Sequence, residues 1–384
     1  MKKALALLLA LIMLLAFAAC QPAPPVAPET PADPGVETPA EPTEPAAPAV
    51  EMKVGVSMPT QSLQRWNQDG ANMKEQLEAA GYTVDLQFAG DNDIPTQVSQ
   101  LETMISGGCN VLVIAAIDGK ALTTVLESAK AADIKVIAYD RLIMDTDALT
   151  YYASFDNTKV GVAQGQFIAD QLKLETEAGP FNIELFTGDP DDNNVTFFWG
   201  GALSVLQPYI DSGKLVVQSG QVEKDQCATA GWSTEKAQAR MENLISSKSY
   251  GPTKTKLDAV MSSNDSVGTG IINALVNAGY TKDNMPIVTG QDCDITATKN
   301  MIAGLQAMSV FKDTRTLAGQ VVKMITAIAN GTEPEINNTT DYDNGVIKNV
   351  NSFLCEPVSC TVENYKELLI DSGYYKEAEL EAAE

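Results

Sequence analysis

Histidine is absent from this 384-residue chain. With it go the commonest general base and the commonest metal ligand near neutral pH, so Ser-His-Asp, Cys-His and histidine-zinc chemistry are excluded. Basic residues are scarce as well: 26 Lys and Arg stand against 50 Asp and Glu, a formal net charge of −24. Such a surface repels phosphate backbones and excludes a nucleic-acid partner. Six cysteines occur without any CxxC spacing, which argues against a thiolate metal site. Beyond the first twenty residues no apolar run is long enough to span a bilayer.

What is present begins with an address. Lys2 and Lys3 precede an apolar run over 4–19 that meets Cys20 after the small pair Ala18 and Ala19. This resembles a bacterial lipoprotein signal, with Phe17 where leucine usually stands, and implies that Cys20 is lipidated as the mature N-terminus. Residues 21–51 then hold ten of the 19 prolines, six acidic residues and no basic one. That composition cannot bury a core and predicts a solvated, extended tether.

From residue 52 onward strands and helices alternate. Strands are expected at 54–58, 84–88, 111–115 and 135–139, with helices at 67–80, 97–106 and 120–132 between them. The pattern restarts after 151–154: helices at 157–172, 196–209, 233–246 and 266–278 separate strands at 181–186, 215–219, 259–262 and 287–289. Further strand character at 305–310 and a long helix over 315–330 follow. Strand, helix, strand at this spacing means α/β architecture with parallel sheets and right-handed crossovers. Two Rossmann-like lobes facing each other would enclose a cleft.

Several buried-strand patterns end abruptly in polar groups: 135–139 in Asp140 and Arg141, 259–262 in Asn264 and Asp265, 287–289 in Gln291 and Asp292. Open α/β sheets receive ligands at the carboxyl ends of their strands, so these side chains are aimed at one small polar molecule.

The order and spacing of eight stretches carry a resemblance. They are Gln64 with Arg65 and Trp66, the run 136–141, 154–157, 191–194, Gly231 with Trp232, 262–265, 290–292 and 310–312. Over about residues 53–350 the chain resembles the periplasmic monosaccharide-binding proteins of ABC importers, in the xylose-binding and multiple-sugar-binding branch. The resemblance implies the type I periplasmic binding protein fold: two lobes joined by three hinge crossings near Asp156, Gln291 and Asn337, with ligand in the interlobe cleft. The N-terminal lobe is expected to comprise 52–156 with 292–337, and the C-terminal lobe 157–291 with 338–384.

A sugar presents hydroxyls that donate and accept, and apolar C–H faces, so it calls for charged hydrogen-bond partners and flat aromatics. Arg65, Arg141 and Lys312 are the expected donors, Asp140 and Asp292 the acceptors, Asn194 and Asn264 mixed partners, and Trp66 and Trp232 the stacking rings. The resemblance places matching residues, Trp66 apart, around the family's sugar. No cofactor and no metal is expected. The implied partners are a monosaccharide of the xylose, glucose, galactose or arabinose class, an ABC permease with its ATPase, and the membrane through the Cys20 lipid alone. A monomer outside the cytoplasmic membrane is expected.

Alternatives stay open at this point. The loaded protein could dock on a chemoreceptor or sensor kinase, or Asp140 and Asp292 could be the paired carboxylates of a glycosidase. Five cysteines follow Cys20, and export permits disulfides. Cys355 with Cys360, close in sequence, is one expected pair; Cys227 with Cys293, both drawn towards the cleft, is another, leaving Cys109 a buried thiol.

Overall fold

Val54 and Val56 lie buried in a strand that pairs with the equally buried 111–114, the mark of parallel sheets covered on both faces. The computed structural model describes residues 52–381. The expected signal with Cys20 and the tether 21–51 therefore lie outside the described residues.

The first sheet uses β1 (Lys53–Met58), β2 (Thr83–Phe88), β3 (Val111–Ile114), β4 (Lys135–Tyr139) and β5 (Tyr151–Phe155). Helices α1 (Gln64–Ala79), α2 (Ile94–Ser106) and α3 (Thr123–Ala131) cross between them. Its order is β11-β5-β4-β3-β1-β2, all parallel, where β11 is Ser352–Cys355. The order reverses beside β1, so the strand ends near β1, β3 and β4 open a crevice.

A second parallel sheet follows in the order β7-β6-β8-β9, built from β6 (Phe181–Phe186), β7 (Leu215–Val217), β8 (Ala259–Ser262) and β9 (Ile287–Val288). It is flanked by α4 (Asn157–Gln171), α5 (Asn194–Asp211), α6 (Thr234–Lys248) and α7 (Asp265–Asn277). A short helix α8 (Ile295–Ile302) leads to β10 (Ser309–Phe311), which extends this sheet through a bridge from Gln291 to Val310. Long helix α9 (Thr314–Ala329) returns to the first sheet and packs on α1. Apolar clusters fill both faces of each sheet.

Three details depart from expectation. Helix α8 and β10 lie with the second sheet, so the return to the first falls at 311–314 rather than near Gln291. β11 joins the first sheet beside β5 instead of accompanying the C-terminal lobe, because Ser352 and Cys355 find a free parallel edge there. The last passage thus falls at 355–358, before β12 (Val358–Cys360) pairs antiparallel with β10, rather than near Asn337. A C-terminal segment with a π-helical turn (Lys366–Asp371) and α10 (Glu377–Leu380) closes over α8.

Neither expected disulfide is present: all five described cysteines are buried thiols. Cys355 lies in the first sheet's core and Cys360 in the small C-terminal core, so they face different interiors. Cys227 is packed beneath the second sheet, away from the cluster that holds Cys293.

Candidate functional site

All nine expected side chains line a single cleft between the carboxyl ends of the two sheets, with about 400 Å³ of space between atoms. Arg65 and Trp66 enter from the first turn of α1, which begins at Gln64, three residues ahead of the sequence expectation. Asp140 and Arg141 end β4. From the second sheet come Asn194 at the start of α5, Trp232 in the turn Ala230–Trp232, Asn264 after β8 and Asp292 after β9. Lys312 follows β10.

One guanidinium organises the centre. Arg65 bonds Asp69 through Nε at 3.0 Å, and reaches Asp140 at 3.1 Å and Asp292 at 3.2 Å. Lys312 meets Asp292 at 2.9 Å and Asp140 at 3.9 Å. A cation from the first sheet and one from the second-sheet side thus share both carboxylates. Burial alone would raise the Asp140 carboxyl, but Arg65, with Lys312 and Arg141, holds it below the ordinary range. It is a permanent acceptor and a poor proton donor. Asp69, deeper beneath Arg65, is pushed up to about 6 by burial, which Arg65 opposes, and it also accepts from the Tyr139 hydroxyl.

Arg141 is fixed by an ion pair with Asp192 at 3.0 Å and donates to the carbonyl of Ala116 at 3.0 Å. The Asn194 amide donates to the Asp140 carbonyl at 2.9 Å, and its oxygen accepts from Tyr152 at 3.2 Å. Asn264 caps α7 by accepting from the Val267 N–H at 3.0 Å, which leaves its amide N–H groups to the cleft. Cap and cleft residue are one.

The two tryptophans differ. Trp66 is buried in the first core with the guanidinium of Arg65 4.5 Å and that of Arg141 5.1 Å from its ring centre, so its face already holds cations. Trp232 packs edge-on to Phe198 at 6.3 Å, and its indole N–H has no hydrogen-bond partner among the described residues. Asp140, Trp232 and Asp292 all hold positive φ, 60°, 54° and 96°. For residues with a Cβ this costs energy and clusters at ligand clamps.

Sequence reasoning aimed Gln291 at the ligand without giving it a role, and missed Asp192, Phe198 and Asp294 as cleft-lining residues. Phe198 was findable, one helical turn beyond Asn194; Asp294 carries no such spacing signal.

Two α/β layers with strand ends converging on a polar, aromatic-walled cleft define a ligand-binding protein of the two-lobed class. The periplasmic binding protein domain matches residues 54–333. The chain is 52% identical to a multiple sugar-binding periplasmic protein of Azospirillum brasilense, over 85% of this chain and 90% of that one. It is 37% identical to the D-xylose-binding periplasmic protein of Escherichia coli, over 86% and 93%. Among solved structures, an ABC transporter solute-binding protein of Clostridium phytofermentans with bound β-D-glucose superposes with a TM-score of 0.83 at 60% identity, covering 86% of this chain and all of that one. The chain belongs to the periplasmic binding protein family, with the type I fold, and its work lies outside the cytoplasm. It is a binding protein rather than an enzyme, and the glycosidase reading of Asp140 and Asp292 falls with that.

Proposed function

We propose that the protein captures a neutral aldopyranose of the glucose and xylose class and delivers it to an ABC permease. The single observation that carries this reading is the convergence of donors, acceptors and rings from both sheets on one cleft. Asp140 and Asp292, each ion-paired, are oriented acceptors for sugar hydroxyls; Arg141, Lys312, Asn194 and Asn264 complete the polar rim. Trp232 and Phe198 wall the apolar face of the ring. The β-D-glucose bound by the Clostridium phytofermentans protein and the D-xylose-binding relative of Escherichia coli support the same class.

Ligand held by both lobes stabilises the closed form, since only there do both contact it; hinge closure of periplasmic binding proteins is a standard instance of this transition. A thermal-shift panel of free aldoses tests the reading. Binding at one hundred times Kd adds about 2.7 kcal/mol of stability, so a micromolar sugar raises the melting temperature clearly at sub-millimolar concentration. No shift with any aldose would refute it.

Anchoring by an acylated Cys20, with the Pro-rich tether as spacer, completes the proposal, as does a monomeric working form. Cys20→Ser is expected to move the protein from the membrane to the soluble fraction on cell fractionation; unchanged membrane retention would rule the lipid anchor out.

A further inference from the structure

Cys293 and Cys360 are distant in sequence and meet beside the cleft's supporting strands. Cys360 ends β12, and the antiparallel register with β10 sets it directly opposite Ser309. Ser309 also holds Cys293: its Oγ accepts from the Cys293 N–H at 3.1 Å, and the Cys293 Sγ lies 3.9 Å from its carbonyl oxygen. Both side chains are fully buried in one small cluster with Met301, Phe311, Leu369 and Tyr375. Cys109, Cys227 and Cys355 belong to three other cores.

We propose that Cys293 and Cys360 join in a disulfide as the chain folds outside the cytoplasm, fastening the C-terminal segment 361–381 to the stretch that carries Asp292. The two thiols lose two protons and two electrons in total to an exchangeable disulfide such as oxidised glutathione. One S–S bond forms within the chain, and the oxidant's S–S bond breaks to give two thiols. An extracytoplasmic setting favours the oxidised pair.

Timing follows from the surroundings. Burial, and next the Cys360 thiol beside it, pushes the Cys293 thiol well above its ordinary range, so little thiolate is available once the fold has closed. The bond therefore forms while the chain is folding and is then sealed from exchange.

The fastened segment bridges the two halves of the site. The Tyr375 hydroxyl donates to the Cys293 carbonyl at 2.9 Å and accepts from the amides of Gln64 and Gln68 at 2.9 and 3.2 Å. It thereby ties the start of α1, which bears Arg65, to the stretch after Asp292, and the disulfide keeps that tie in register.

The test is refolding of the full chain from urea in a mixture of oxidised and reduced glutathione, followed by alkylation, digestion and mass spectrometry. The expected result is a peptide pair joining Cys293 to Cys360, with Cys109, Cys227 and Cys355 alkylated. The linked protein should melt about 5 °C above the same protein after reduction, and native reduced protein should link far more slowly in the same buffer. In Cys293→Ser, Cys360 should become alkylated. Recovery of Cys293 and Cys360 as free thiols after refolding, or of either bonded to another cysteine, would overturn the proposal, and the wild-type peptide map decides it even where the variant folds poorly.

Discussion

Arg65 illustrates how buried charge is balanced in the cleft. A buried guanidinium without partners would cost several kcal/mol, and here Asp69, Asp140 and Asp292 surround it. Lys312 sits against the same carboxylates, and with Arg65 it holds the Asp140 carboxyl ionised. Asp294 is the residue whose charge is least settled. Its carboxyl is pushed up to about 7, first by burial and then by Asp292, against the pull of Arg65 and Lys312, with Asp265 the remaining carboxylate beside it. The sign follows: between its ordinary range and about 7 the folded state holds a proton that the unfolded chain has released. This contribution favours folding on the acid side and is lost as pH rises through the raised value. Asp294→Asn is therefore expected to stabilise the protein at pH 8 by on the order of 1–2 kcal/mol, the part-exposed carboxyl giving less than full linkage. Relative to wild type the gain should vanish by about pH 4. Urea unfolding at both pH values measures it, and an equal difference at both would contradict the assignment.

Among the elements, the turn after β6 holds Trp232 in place. A Cβ on Gly188 would stand 2.0 Å from the Trp232 ring, so the indole lies flush against that backbone. Gly188→Ala must displace the ring, and the expected outcome is sugar affinity reduced at least about tenfold with a cooperative melt retained; unchanged calorimetric affinity would show that Trp232 does not wall the ligand. At this scale the sequence was most readable where burial is two-sided: β4 and β8 are apolar runs that end in polar residues, the expected Asp140, Arg141 and Asn264 sit at those ends, and Asp292 sits just beyond β9. It was least readable where pairing is long-range. β11 has only four residues, and its place beside β5 depends on an edge supplied far upstream. The start of α1 was misjudged because Leu63 offers no capping side chain, so nothing marks the boundary before Arg65. The cysteines misled for a related reason: closeness in sequence paired Cys355 with Cys360, whereas the passage at 355–358 carries them into different cores.

At the scale of the molecule, the two sheets contribute unlike halves of one site. The first supplies Arg65, Asp140 and Arg141; the second supplies Asn194, Trp232, Asn264 and Asp292. Hydrogen-bonding partners for one ligand thus come from both sheets, while the aromatic wall of Trp232 and Phe198 comes from the second, which couples capture to closure of the lobes. Calorimetric titration of D-glucose into wild type, Asp140→Asn and Trp232→Ala tests that claim most directly, because the two substitutions lie on opposite sheets. The account predicts one-site binding in wild type and at least about hundredfold weaker binding, some 2.7 kcal/mol, in each variant while both still unfold cooperatively. Wild-type affinity in either folded variant would contradict it.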